Sequence, residues 1–133
     1  MTQDTATNRH GDIVWSELHL RDMEAQKAFY SAVAGWTFDS KPLADGSGDY
    51  VVAMQDGRPI AGFLDMGTMP HLDGVPTHWL TYIGVEDVDK SVAAVVASGG
   101  TLHRPVFDIP DVGRVAVITD AGGAKLALMT QAS

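Results

Sequence analysis

Residues 13–20 (Ile-Val-Trp-Ser-Glu-Leu-His-Leu) read as a strand, with Trp15, Glu17 and His19 on one face and Val14, Ser16, Leu18 and Leu20 on the other. The period then changes. From Asp22, a good N-cap, Ala25, Ala28, Phe29, Ala32 and Val33 recur at i, i+3, i+4, i+7 and i+8, which predicts a helix to about residue 34. Gly35 stops it. Shorter strands are predicted over residues 36–39, 50–55 and 59–65, with Asp45-Gly46 and Asp56-Gly57 as turns. Residues 66–76 contain Gly67, Pro70, Gly74 and Pro76 and read as a connection. The order then recurs. A strand is predicted over residues 77–85, and a helix over 87–98 with Val88, Val92, Val95 and Val96 on one face. Gly99-Gly100 ends that helix, and strands are expected near 101–103, 114–119 and 125–130, with a turn over 120–123.

A shift of 65 residues lays Asp22 on Asp87, Gly35 on Gly100, and Asp56-Gly57 beside Ala121-Gly122. Self-similarity on this scale points to one supersecondary unit written twice. The expected organisation is a flexible stretch over residues 1–11 and one domain over 12–133. Module one takes 12–66, a linker 67–76, and module two 77–131.

Composition narrows the function classes. A chain of 133 residues can bury a core, and 45% apolar with 20% charged residues is ordinary for a soluble protein. The net charge of -8, with nine scattered basic residues, argues against nucleic acid, whose binding needs clustered Lys and Arg. No apolar run reaches membrane-spanning length and the opening residues lack a signal-peptide pattern, so a cytoplasmic location is expected. With no cysteine, disulfides, thiolate nucleophiles and thiolate metal sites are all excluded. No nucleophile elbow, phosphate loop or dinucleotide fingerprint occurs.

Two strand–helix–three-strand units, with Phe29-Tyr30 late in the first helix, Gly35-Trp36 after it, and Val117-Ile-Thr-Asp-Ala-Gly-Gly-Ala-Lys-Leu-Ala-Leu as a closing hairpin, resemble the vicinal oxygen chelate superfamily. That superfamily includes glyoxalases, bleomycin-resistance proteins and extradiol dioxygenases. Gly-Trp after the first helix and Val-Gly-Arg before the last hairpin are most similar to a glyoxalase-like branch related to a mycobacterial 27 kDa antigen. The resemblance implies an α+β fold in which two βαβββ modules form a curved eight-stranded, open barrel-like sheet around a cavity. It implies no single reaction.

The resemblance also locates four inherited metal-ligand positions. They fall at Trp15 and Leu80 on the opening strands, and at Gly62 and Ala127 on the closing strands. The 65-residue shift pairs them independently. Indole, isobutyl, hydrogen and methyl groups supply no donor atom, so no metal and no cofactor are expected. A displaced site would need Glu17, His19 and His78 to converge.

The expected pocket comprises Trp15, Glu17, His19, Gly62, His78, Leu80, Tyr82, Arg114 and Ala127. Glu17 and His19 on an enclosed face are costly unless paired. They are the candidates for proton transfer if the protein is an enzyme, or a structural pair at the barrel mouth otherwise. Trp15 offers an aromatic floor or simple core packing. Tyr82 can give its hydroxyl to a ligand or to backbone, and Arg114 is either an inward anion clamp or a solvated strand-end charge. Trp79 is expected as core under the second helix. No role is assigned to His71 or His103.

Three functional readings follow. The first is a binding or sequestering protein with a metal-free pocket for a small organic ligand, of the bleomycin-resistance type. The second is a metal-independent lyase or isomerase using Glu17 and His19. The third is a metal-dependent glyoxalase or dioxygenase with displaced ligands. A homodimer is an open option, although the chain carries both modules and needs no partner to complete a barrel.

Overall fold

The computed structural model describes residues 10–42, 49–109 and 112–132. Two helices and nine strand segments alternate along the described residues, so the chain is α+β. It divides into two compact units, Trp15–Trp79 and residues 80–132 joined by residues 10–14. Residues 10 and 11, expected as part of a flexible end, are tied down. The Gly11 N–H donates to Gly84 O at 2.8 Å, and the Glu86 N–H donates to His10 Nδ1 at 3.0 Å. The Asp45-Gly46 turn lies outside the described residues.

The first unit is built from β1 (Ile13–Leu20), α1 (Met23–Ala34), β2 (Thr37–Pro42), β3 (Asp49–Gln55) and β4 (Arg58–Asp65). The strand order is β2-β3-β4-β1, with β1 and β4 parallel and the other pairs antiparallel. Leu18, Leu20, Val51, Ala53, Ala61 and Phe63 form its core, against Met23, Tyr30, Trp36 and Phe38. Each large side chain fully buried here contributes roughly 1.5–3 kcal/mol. Asp56 and Gly57 both take positive φ (53° and 78°) in the tight β3–β4 turn, the conformation that Asp-Gly favours.

Asp22 caps α1 as expected, its Oδ1 accepting from the Ala25 N–H at 3.4 Å. Gly35 ends the helix at φ 75°, with its N–H donating to Ser31 O. The orientation of α1 corrects the sequence pattern. Ala25, Ala28, Phe29, Ala32 and Val33 are all exposed, Phe29 by 55%. The inward side carries Met23, Gln26, Lys27 and Tyr30, which are half-buried. Tyr30 decides the orientation, because it stacks on Trp36 (centroids 5.1 Å) and meets Phe63 edge-on at 5.7 Å. A stripe made mostly of alanines offers far less area to bury than those aromatic contacts.

Residues 66–76 are more structured than a plain linker. Two short 3-10 turns, Met66–Thr68 and Pro70–Leu72, bury Met66 completely. The Arg21 guanidinium donates to Leu72 O at 2.9 Å and Val75 O at 2.6 Å, which fixes the segment to the end of β1.

The second unit repeats the order with β5 (His78–Gly84), whose first two residues, His78 and Trp79, fall in the first unit, then α2 (Val88–Ala97), β6 (Thr101–Leu102), β7 (Phe107–Ile109), β8 (Gly113–Thr119) and β9 (Lys125–Gln131). The strands run β5-β9-β8-β6, with β7 also pairing β8. One strand was expected where β6 and β7 now stand, hence nine segments instead of eight. Pro105 lies in the interruption and has no N–H to give a ladder. Val88, Ala116, Ile118 and Leu128 form this core, with Val92 and Val95 packed against it. Val96, assigned to the same face, is exposed.

Parallel pairing sets Glu17 opposite Gly62 in the first unit and Tyr82 opposite Ala127 in the second. These pairs stand 65 residues apart, as the sequence shift requires.

Trp79 departs from expectation. It is 40% exposed, and it meets Tyr30, Trp36 and Phe63 of the first unit instead of lying under α2. Its indole N–H donates to the Tyr30 hydroxyl at 3.2 Å.

Candidate functional site

The alternation of β1 turns Trp15, Glu17 and His19 to one face, and the ladder brings β4 and β3 beside them. Glu17 and His19 are only 7% and 8% exposed. They solve the cost of burial by bonding. Glu17 Oε1 meets His19 Nε2 at 2.7 Å, and Glu17 Oε2 accepts from the Tyr50 hydroxyl at 2.7 Å. Tyr50 in turn accepts from the Trp15 indole N–H at 3.0 Å. The result is a chain of polar groups, Trp15 to Tyr50 to Glu17 to His19, that fixes four side chains from two strands.

Gly62 explains why Tyr50 can be there. A side chain at position 62 would overlap the Tyr50 hydroxyl and come within 3.0 Å of the Trp15 ring nitrogen. The space beside position 62 is therefore filled by a phenol from the neighbouring strand. Sequence reasoning missed Tyr50. The available signal was a glycine inside a strand, which marks a close approach by another group.

His78 completes the cluster from the start of β5. Its ring lies 4.9 Å from that of His19, centroid to centroid, and its Nδ1 bonds Pro76 O at 2.8 Å. Two ring nitrogens, His19 Nδ1 and His78 Nε2, are buried without a hydrogen-bond partner among the described residues.

In the second unit Leu80, Tyr82 and Ala127 are buried. Arg114 is held at the surface of that unit. Its Nε and Nη1 donate to Asp89 Oδ2 and Asp108 Oδ2 at 2.9 and 3.0 Å, and these hydrogen bonds, Asp89 first, raise its pKa further above the ordinary arginine value. An anion clamp at Arg114 would have to compete with both carboxylates. A recess of about 50 Å³ in the same unit, lined by His10, Val14, Gly84 and Met129, is well below the roughly 300–1,000 Å³ of organic-ligand pockets. His103 bonds the Thr119 hydroxyl.

The residues present do not suit the metal of the vicinal oxygen chelate enzymes. Trp15, Gly62, Leu80 and Ala127 carry no usable donor, and Tyr50 occupies the space at 62. The displaced set of Glu17, His19 and His78 also fails as a cage. Both Glu17 oxygens already serve His19 and Tyr50, and among the described residues no three His, Cys, Asp or Glu are grouped to hold an ion. No described helix is long and apolar enough to cross a membrane.

A family model described as the Glyoxalase/Bleomycin resistance protein/Dioxygenase superfamily matches residues 13–128. The "Putative glyoxylase CFP32" of Mycobacterium bovis is 40% identical over 120 residues, which covers 90% of this chain and 46% of that protein. The "Anthracycline biosynthesis protein DnrV" of Streptomyces peucetius is 29% identical over 129 residues, covering 89% and 46%. The chain thus spans about half the length of the curated relatives it matches. Among solved structures, a methylmalonyl-CoA epimerase of Streptomyces coelicolor with 2-nitronate-propionyl-CoA superposes with a TM-score of 0.64 at 18% identity, over 94% of this chain and 100% of the other. A hypothetical protein from Bacillus halodurans gives a TM-score of 0.68 at 11% identity, over 94% and 97%. At these identities the shared feature is the fold.

Proposed function

Because the chain belongs to the Glyoxalase/Bleomycin resistance protein/Dioxygenase superfamily, we propose that it binds and sequesters a small organic molecule beside Trp15, Glu17, His19 and Tyr50, without a resident metal ion. One observation carries this reading: the Tyr50 hydroxyl stands in the space of a side chain at position 62, held there by Trp15 and Glu17. A superfamily coordination slot has become part of a hydrogen-bonded, aromatic wall. Such a wall suits an organic ligand with both an apolar body and polar groups. A fold neighbour solved with an acyl-CoA analogue supports a small-molecule role.

The test joins metal analysis of the purified protein to thermal-shift screening against metabolites and antibiotics. The expected outcome is a ligand that raises Tm by mass action, in a protein with no stoichiometric divalent ion. One ion per chain refutes the reading.

A second reading is favoured by the Glu17–His19 bond of 2.7 Å. A carboxylate that orients a buried imidazole leaves the other ring nitrogen able to take a proton from a ligand, as in a lyase or isomerase. Turnover abolished by Glu17→Gln or His19→Ala, with binding retained, separates catalysis from sequestration.

We also propose a homodimer in which α1 of a second copy covers Ala25, Phe29, Ala32 and Val33, the exposed apolar stripe. Sedimentation should report a dimer that Phe29→Glu with Val33→Glu makes monomeric.

A further inference from the structure

In neutral rings, hydrogen bonding decides which nitrogen of each histidine carries the proton. His78 Nδ1 faces a carbonyl, Pro76 O, which can only accept, so Nδ1 carries the proton and Nε2 holds a bare lone pair if the ring is neutral. His19 is set by Glu17. The Trp15 indole N–H can only donate, so it takes the Tyr50 oxygen lone pair and sends the Tyr50 hydroxyl proton to Glu17 Oε2. Glu17 therefore acts as the acceptor, His19 Nε2–H donates to Oε1, and His19 Nδ1 is bare.

Both bare nitrogens are shut away from solvent, and neither has a hydrogen-bond partner among the described residues. His19 itself is 8% exposed. Leaving two buried acceptors unsatisfied is expensive. They do not satisfy one another, since each would need a proton that its own tautomer places elsewhere. A ligand that brings donors removes that cost.

We propose that His19 Nδ1 and His78 Nε2 form an acceptor pair that holds the protonated primary amino group of the ligand. An ammonium brings three N–H donors and no acceptor. The Glu17 carboxylate behind His19 adds favourable charge for a cation. Arg21, the next basic residue along the chain, directs its guanidinium to the Leu72 and Val75 carbonyls. A carboxylate or phosphate head would meet lone pairs and a carboxylate, and is excluded by the same chemistry. The proposal rests on the small-molecule reading above and adds the class of ligand.

The test uses the full chain with ¹⁵N-labelled histidine and long-range imidazole spectra. In the free protein, His19 Nδ1 and His78 Nε2 should give pyridine-type signals. A protonated His19 Nδ1 overturns the proposal while leaving ligand binding as a separate matter for the thermal-shift screen. Methylammonium, butylammonium and benzylammonium are then titrated beside benzyl alcohol, benzoate and zinc. Benzylammonium should move both bare-nitrogen signals and bind about ten-fold more tightly than benzyl alcohol, a difference of about 1.4 kcal/mol. His78→Phe, at a half-buried position, should erase that preference without unfolding the protein. If no ammonium moves the two signals, if benzoate binds more tightly, or if zinc alone moves them, the proposal fails.

Discussion

The two units use one ladder register for different chemistry. Where Glu17 faces Gly62 in the first, Tyr82 faces Ala127 in the second. In the first unit the small residue makes room for Tyr50, and the opposing Glu17 gains two hydrogen bonds from that neighbourhood. In the second the small residue is a buried alanine opposite the buried Tyr82, with Leu80 in place of Trp15. The same backbone geometry thus carries the Trp15–Tyr50–Glu17–His19 relay in one half and a different set of side chains in the other. Fold and site are separable in this chain, and only side chains distinguish them.

Substitutions can break that contrast. The largest effect is expected for Glu17→Ala, which strands the Tyr50 hydroxyl and the His19 N–H at once. A loss of about 2–4 kcal/mol in urea unfolding is expected, since a buried donor left alone, as at His19, costs roughly 1–3 kcal/mol and the half-buried Tyr50 hydroxyl less. An intact midpoint would mean that the relay is solvated and not buried.

Next comes the glycine. Gly62→Ala must displace the Tyr50 hydroxyl and should cost about 1–3 kcal/mol, the usual range for overpacking. The equivalent change in the other unit runs in reverse. Ala127→Gly should cost only about 1 kcal/mol through backbone freedom and a lost methyl. Equal effects at the two positions would erase the difference between the units.

The smallest effect is expected for Arg114→Met. Its pairs with Asp89 and Asp108 lie at the surface, so the change in Tm should fall within scatter and shrink further in added salt. The raised Arg114 pKa agrees in sign: the guanidinium stays charged below its folded value, and any stabilisation is lost only as pH climbs through it, above the ordinary arginine range. Stability should therefore show no Arg114-dependent step between pH 5 and pH 9. A clear drop in Tm on this substitution would give the second unit a polar anchor of its own.

Much of this was legible in the sequence. Strand period placed Trp15, Glu17 and His19 on one face. The Asp56-Gly57 turn and the capping residues placed their elements, and the 65-residue shift gave the ladder pairs. What period could not supply was competition between faces. On α1 the regular apolar stripe is mostly alanine, and a single tyrosine opposite it, backed by Trp36 and Phe63, turned the helix the other way. Tyr50 escaped for a related reason. It lies 33 residues from Glu17, and only tertiary pairing brings them within 2.7 Å. Trp79 likewise joined the first unit's aromatic group because rings gather where other rings already pack.

The phenol lodged over Gly62 also constrains the protein's future. A single change that places a carboxylate there would collide with Tyr50, so a mutation that introduces a ligand is harmful before it is useful. The order of events is forced: Tyr50 must first be replaced by something smaller, at the expense of its bonds to Trp15 and Glu17. Only then does position 62 accept a longer side chain. A laboratory selection for divalent-ion chemistry on this scaffold should accordingly find its double variants through residue 50, and stall when it begins at 62.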